Sequence, residues 1–458
     1  MSPATKTIDR SRLKALMARE QELFARAHPR SAELFRRAQK SMMGGVPMNW
    51  MSKWPGPFPV FVSAASGAHF TDVDGHEYVD FCLGDTGAMT GHAPQALVSA
   101  VTAQLPRGLT AMLPTENSIW VGEELQRRFG LPYWQFALTA TDANRFAIRL
   151  ARLVTGRSKV IVFNYSYHGT VDEAFATLEG GRTVARSGNI GPPVDPALTT
   201  RVVEFNDLTA LEEALSHRDA ACILAEPAMT NVGIVHPEPG YHRAMRDLAR
   251  KYGCLLIIDE THTICTGPGG YTKAHGLEPD FFVLGKPVGG GIPAAVYGFT
   301  EEVAALATSR IRLAECDTGG IGGTLAGNAL SLAAMRATLE SVLTEAAFAK
   351  MIALAERFTK GVEDAIREAG MPWHVSRLGC RAEYLFHERR PKNGGEAAAA
   401  ADFELERFMH LSALNQGVLL TPFHNMALMS PATSDADVDR HTQAFRRAVD
   451  ELVGTTAA

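Results

Sequence analysis

From about residue 94 onward the chain alternates stretches of helical apolar spacing with short, almost wholly apolar runs. Helical spacing is found near 94–105, 116–129 and 142–154, and apolar runs near 135–138, 159–163, 201–205, 221–225, 254–258, 281–284 and 294–297. Runs this short and this rich in Ile, Leu, Val and Phe predict buried strands rather than helices. Their alternation predicts an α/β fold, with a mostly parallel central sheet and helices on both faces.

The flanks read differently. Residues 9–43 carry a helical pattern interrupted at Pro29, whereas 44–60 combine glycines and prolines with Trp50 and Trp54 and predict an irregular loop, packed or pocket-lining. Alternation on either side of Asp74-Gly75 predicts a hairpin over 68–81. Long helical patterns at 325–343 and 346–368 precede a smaller α+β segment. The expected organisation is therefore 1–90 as N-terminal helices, loop and hairpin, 91–330 as the large domain, and 331–458 as a small C-terminal domain.

Two of the apolar runs end abruptly in an ionisable residue, Asp259 after Cys254–Ile258 and Lys286 after Phe281–Gly285. Open α/β sheets bind ligands at the carboxyl ends of their strands, so both residues are candidates for chemistry. A lysine at a strand end is more often solvated than catalytic, and an aspartate there can simply cap the next turn. Together they suit an aldehyde cofactor: the lysine to bond it, the buried acid to pair with a protonated ring nitrogen. Glycines 285 and 289–291 let a planar group approach the backbone beside Lys286.

Thr139-Ala140-Thr141-Asp142 follows a predicted strand and opens a helix, a place where amides and hydroxyls favour an anion; N-capping by Thr141 or Asp142 is the structural alternative. Tyr167-His168-Gly169 and Glu226 follow two further strands, and Gly322–Asn328, with Thr324, opens another helix. These residues point to a phosphorylated cofactor handled by a lysine.

Composition narrows the class. The 458 residues, 46% hydrophobic and 21% charged, suit a globular protein with a large core, and 45 basic against 50 acidic residues give no reason to expect a nucleic-acid partner. No apolar window has the length of a membrane span or of a signal peptide, and the six cysteines show no metal-ligand spacing, so a cytoplasmic protein with free thiols and no metal site is expected.

The motifs taken together resemble the class III aminotransferases, fold-type I pyridoxal phosphate enzymes, and most of all their glutamate-1-semialdehyde aminomutase branch. The resemblance runs from Gly44-Gly45-Val46 through Asp74-Gly75, Gly91-His92, Arg149–Arg157, Tyr167-His168-Gly169, Ala225-Glu226-Pro227 and Asp259-Glu260 to Gly285-Lys286, Gly289–Gly291 and Gly323–Asn328. It implies that Lys286 bonds the cofactor aldehyde and later moves a proton, that Asp259 faces the pyridine nitrogen, and that Tyr167 stacks on the ring. Thr139-Ala140-Thr141 stands for a phosphate cup in which Ala140 replaces a glycine, with His168 and Glu226 nearby. Thr324 matches a threonine that reaches the neighbouring subunit's phosphate, which implies a homodimer with shared sites.

Departures from the pattern bear on the substrate. Where the aminomutase branch carries a carboxylate-gripping arginine, this chain has Met51 beside Trp50; where a valine usually packs on the cofactor, it has Thr261-His262. Arg381 is a candidate substitute clamp or a surface partner of Glu383, and His424 lies in a segment that often sets specificity. The reading is a pyridoxal phosphate-dependent aminotransferase that moves an amino group between an amine or amino acid and a carbonyl acceptor by ping-pong exchange. Its substrate would be apolar, aromatic or a β-amino acid. An aminomutase or racemase on the same fold is the alternative.

Overall fold

A computed structural model describes residues 8–311 and 319–454; Cys316 falls outside them. The chain divides into a larger unit, residues 95–348 with 391–399, and a smaller unit built from residues 1–94, 349–390 and 400–458. The expected boundary at 330 lies instead at 348. The helix Ala329–Ala337 buries Leu332, Ala334 and Met335 within the larger unit, where it packs on the helices Gln95–Gln104 and Glu116–Phe129.

The larger unit is built on a seven-stranded sheet. Its strands lie side by side as Tyr133–Ala137, Ala295–Phe299, Phe281–Leu284, Leu255–Asp259, Ala220–Ala225, Lys159–Phe163 and Thr200–Val203. Every adjacent pair from Phe281–Leu284 to Thr200–Val203 is parallel, while Ala295–Phe299 runs against both of its neighbours. The apolar runs become strands because both faces are covered: the helix Ala140–Thr155 packs its Ala143, Phe146, Ala147 and Leu150 on one, and Tyr241–Tyr252 contributes Tyr241 and Met245 to the core of the other.

Helix limits follow their caps. Ala140–Thr155 begins on Thr139, whose hydroxyl accepts from the Asp142 amide at 3.1 Å, so neither Thr141 nor Asp142 is the cap. The pattern expected at 325–343 starts at Ala329, because Asn328 caps it and Gly327 holds a left-handed φ of 66°; beyond Ala337 it widens into a π-turn over Thr338–Val342. A second hairpin, Ala176–Glu179 with Arg182–Ala185, turns on Gly180-Gly181 and was not expected from the periodicity.

In the smaller unit the helices Arg10–Ala27 and Pro29–Ala38 break at Pro29, and the hairpin about Asp74-Gly75 pairs His69–Asp72 with Glu77–Asp80. The 44–60 loop forms only the short turns Met43–Gly45 and Asn49–Ser52, and Trp54 packs on the core containing Phe24, Phe70 and Tyr78. Three strands, His374–Leu378, Arg381–Leu385 and Met426–Leu428, and the helices Phe403–Asn415 and Asp435–Val453 supply the expected α+β segment.

Candidate active site

Asp259 and Lys286 leave neighbouring parallel strands on the same side of the sheet. Asp259 lies opposite Val283, so Lys286 stands three positions beyond the last paired residue. The two exits are tied by the Gly285 amide, which donates to the Thr261 hydroxyl at 3.3 Å. Lys286 itself holds a φ of 40°, a value that costs a non-glycine residue about 1–3 kcal/mol and gathers at functional sites.

Asp259 is 3% exposed. Burial pushes its pKa up, but hydrogen bonds from His168, Thr261 and Asn144 outweigh that and hold the carboxyl below its ordinary value. Its Oδ2 accepts from Asn144 Nδ2 at 2.8 Å and pairs with His168 Nδ1 at 2.9 Å, while Oδ1 accepts from the Thr261 amide at 3.1 Å. The site therefore keeps an ionised carboxylate in an apolar interior. Glu226 ends the next strand, hydrogen-bonded to Thr230 and, at 3.4 Å, to the Tyr167 amide; burial raises its carboxyl.

The sequence reading missed Asn144 and Thr230. Asn144 could have been found as the one amide on the buried face of Ala140–Thr155, among Ala143, Phe146 and Ala147.

The helix start Thr139–Thr141 lies against the lysine strand. A Cβ on Gly285 would stand 2.8 Å from Ala140 Cβ and 3.2 Å from its amide nitrogen. The Thr141 hydroxyl accepts from the Thr170 amide at 2.9 Å and fills the space where a Cβ on Gly169 would go. The segments 139–141, 167–170, 259–262 and 285–286 thus converge. The first intrahelical bond is Ala143 to Thr139, so the amides of Ala140 and Thr141 are first-turn donors of the kind that bind anions.

This donor set fits a phosphorylated pyridine aldehyde. An ionised acid can receive a ring N–H, a helix N-terminus with hydroxyls can receive a phosphate, and a primary amine can receive the aldehyde. Tyr167 is half-buried, edge-on to Phe175 with ring centroids 6.1 Å apart. His262 reaches Lys286, its Nε2 2.7 Å from Nζ.

Gly285→Ala is expected to lower stability by about 1–3 kcal/mol through overpacking on Ala140. Thermal unfolding would show it, and the double variant with Ala140→Gly should recover most of the loss. Absence of recovery would show that the contact is not the cause.

Four other sequence candidates have surroundings of their own within each unit. Thr324 is exposed and lines a cleft of about 890 Å³ in the larger unit with Leu109, Met112 and Leu113. In the smaller unit Trp50 meets Phe423, ring centroids 4.7 Å apart, and Met51 is 46% exposed. His424 is buried next to Phe423.

Arg381 is neither a surface residue nor an open fork. It is fully buried, with Nε 3.0 Å from Glu383 Oε1 and one terminal nitrogen on the same oxygen. Residues two apart on a strand share a face, which brings this pair together under cover.

Comparison with known proteins agrees with the geometry. The family Aminotransferase class-III matches residues 50–449. A glutamate-1-semialdehyde 2,1-aminomutase of Methanocella arvoryzae is 33% identical over 92% of this chain and 98% of its own length. The crystal structure of a glutamate-1-semialdehyde-aminomutase from Pseudomonas aeruginosa is 52% identical, with a TM-score of 0.95 over 97% of this chain and 99% of that one. The K286A variant of that protein has been solved in complex with PMP. An omega-transaminase from Sphaerobacter thermophilus is 28% identical, with a TM-score of 0.83 over 92% of this chain and 98% of that one.

Proposed function

Because the chain belongs to the class III aminotransferases and uses pyridoxal 5′-phosphate, we propose that it is an aminomutase of the glutamate-1-semialdehyde type, exchanging an amino group and a carbonyl within one small substrate. The observation that carries this reading is the Asp259–Lys286 strand-end pair in a chain that matches proteins of that name over nearly its whole length. It replaces intermolecular transamination as the first reading.

When bound, the cofactor supplies an electron sink for the carbon that carries the amino group. Asp259 would receive the ring N–H, and its ionised state keeps that proton in place. Thr139, Ala140 and Thr141 would hold the phosphate with hydroxyls and first-turn amides, and Tyr167 and Thr261 would border the ring. Lys286 would bond the aldehyde and, once released as an amine, carry a proton to and from the substrate carbon.

A transaminase is the second reading. It is supported by Met51 in place of the branch's arginine and by the apolar surroundings of Trp50 and Phe423. A product assay with and without an added keto acid separates the two. An aminomutase turns over repeatedly on its amino-aldehyde alone, whereas one turnover per site followed by recovery on adding a keto acid would establish transamination. If transamination is found, phenylethylamine is expected to outpace charged short-chain amino acids; equal rates would count against an apolar pocket.

A homodimer belongs to the same proposal. Thr324 corresponds to the family threonine that crosses to the neighbouring subunit, and it lines a cleft whose Met112 and Leu113 are 76% and 73% exposed. Sedimentation at the mass of one chain would refute the dimer. A cytoplasmic location is also proposed, supported by the free thiols of Cys82, Cys222 and Cys254; no helix among the described residues is long and apolar enough to cross a membrane.

A further inference from the structure

Lys286 Nζ and His262 Nε2 lie 2.7 Å apart, the distance of a hydrogen bond between an amine and an imidazole. Resting on the cofactor reading above, we propose that His262 is the proton partner of Lys286, taking a proton from its ammonium and returning it when the lysine is released. Nζ gains a lone pair as Nε2 gains the proton, so the exchange needs no other reactant. The resulting neutral amine can attack an aldehyde or accept a proton from carbon.

The placement is built rather than incidental. His262 stands three positions past Asp259 and Lys286 three past Val283, and those two residues are partners in register, so both side chains leave the sheet at the same height. The Thr261 hydroxyl fixes the spacing by accepting from the Gly285 amide at 3.3 Å. A 3-10 turn, Thr263–Thr266, begins directly after His262 and ends the segment's freedom. His262 is partly exposed, so protons can pass onward to solvent.

The chemistry favours an imidazole at this point. A fixed carboxylate would hold the lysine as an ammonium, whereas histidine accepts and gives back a proton near neutral pH. Charged groups on and beside the converging segments have partners of their own. Asp259 is held by His168, Asn144 and Thr261, and Glu260 by Thr263, Tyr271 and Thr272. Glu226 is held by Thr230 and Tyr167, Asp142 by Thr139, and Arg186 by the Ser166 carbonyl.

The test uses the full chain stripped of cofactor, with His262→Gln and His262→Leu. Glutamine keeps polarity and approximate size without titrating, and remains informative if the leucine variant fails to fold. The first readout is the rate at which the visible absorption of bound cofactor appears after adding pyridoxal phosphate, measured across pH. The second is acetylation of Lys286 by acetic anhydride relative to exposed lysines, read by peptide mass spectrometry.

Both variants are expected to capture the cofactor roughly 10²-fold more slowly at neutral pH. Their capture and acetylation profiles should be displaced toward alkaline pH. Wild-type rates and profiles in the variants would overturn the proposal. So would a glutamine variant that matches the wild type while leucine does not, because that outcome leaves His262 a merely structural contact. If the wild type shows no visible band but its acetylation profile still depends on His262, the cofactor reading fails and the proton partnership stands; if neither is seen, both fail.

Discussion

Lys286→Ala is expected to take up pyridoxal phosphate without developing the visible band of the covalently held cofactor, and its turnover should fall by about 10⁴-fold. The magnitude follows from losing two roles in one atom. In the proposed mechanism Lys286 Nζ would both bond the aldehyde and carry the proton at the substrate carbon. The left-handed φ of 40° and the Thr261–Gly285 tie place this side chain beyond the strand end. The measurement is an absorption spectrum of the purified variant with added cofactor, beside single-turnover kinetics. A visible band like that of the wild type would remove Lys286 from the centre of the site. Loss of the band with retained cofactor, shown by dialysis and mass spectrometry, would establish that the phosphate and ring contacts are independent of it.

Asp259→Asn should follow as the next largest effect, a fall of roughly 10²–10³-fold in turnover, of the size seen when one fixed electrostatic partner of a reacting group is removed. Asparagine matches the shape, keeps an oxygen for Thr261 or Asn144, and removes the charge that would secure a ring N–H. Cofactor affinity should drop with it, which a fluorescence titration of the stripped protein would measure. An unchanged affinity and rate would show that the carboxylate is a structural partner of His168 and nothing more.

The same carboxylate has a signature in acid. Its folded pKa lies below the ordinary value of 3.8, so its contribution to stability is present above that value and is lost as pH falls through the folded pKa. The stability gap between wild type and Asp259→Asn should therefore be full near neutral pH and shrink below about pH 4 in denaturant titrations of the stripped protein. A gap that widens on acidification would reverse the sign of the assignment.

Much of the fold was legible because burial on both faces leaves a strong mark. A strand covered above and below must be apolar throughout, so Ala220–Ala225, Leu255–Asp259 and Phe281–Leu284 were visible as runs. The hairpin at Ala176–Glu179 and Arg182–Ala185 was missed for the opposite reason, since its strands are only partly buried and mix threonine, arginine and glutamate with apolar residues. Helix ends were misplaced where a residue outside the periodic pattern supplied the cap, as Thr139 and Asn328 do.

The candidate site divides in the same way. Lys286, Asp259 and Glu226 could be read because an ionisable residue at the end of an apolar run carries a large desolvation cost that only a partner or a function offsets. Asn144 was not, because it sits far along the chain from the carboxylate it serves, and Thr230 was not, although close in sequence to Glu226, because nothing local distinguishes it from an ordinary buried polar residue. Arg381 was misjudged because the sequence shows Glu383 two positions away but not that both lie under the surface.

By itself, then, the sequence determined the sheet, the family and the strand-end residues that are candidates for chemistry, since these rest on local apolar periodicity and on residue types that are costly wherever they are not used. Tertiary structure alone decided which groups serve them: His168 and Asn144 on Asp259, Ala140 against Gly285, and His262 on Lys286. Those pairings depend on strand register and on the packing of a helix start against a neighbouring strand, and neither quantity is written in the spacing of residues along the chain.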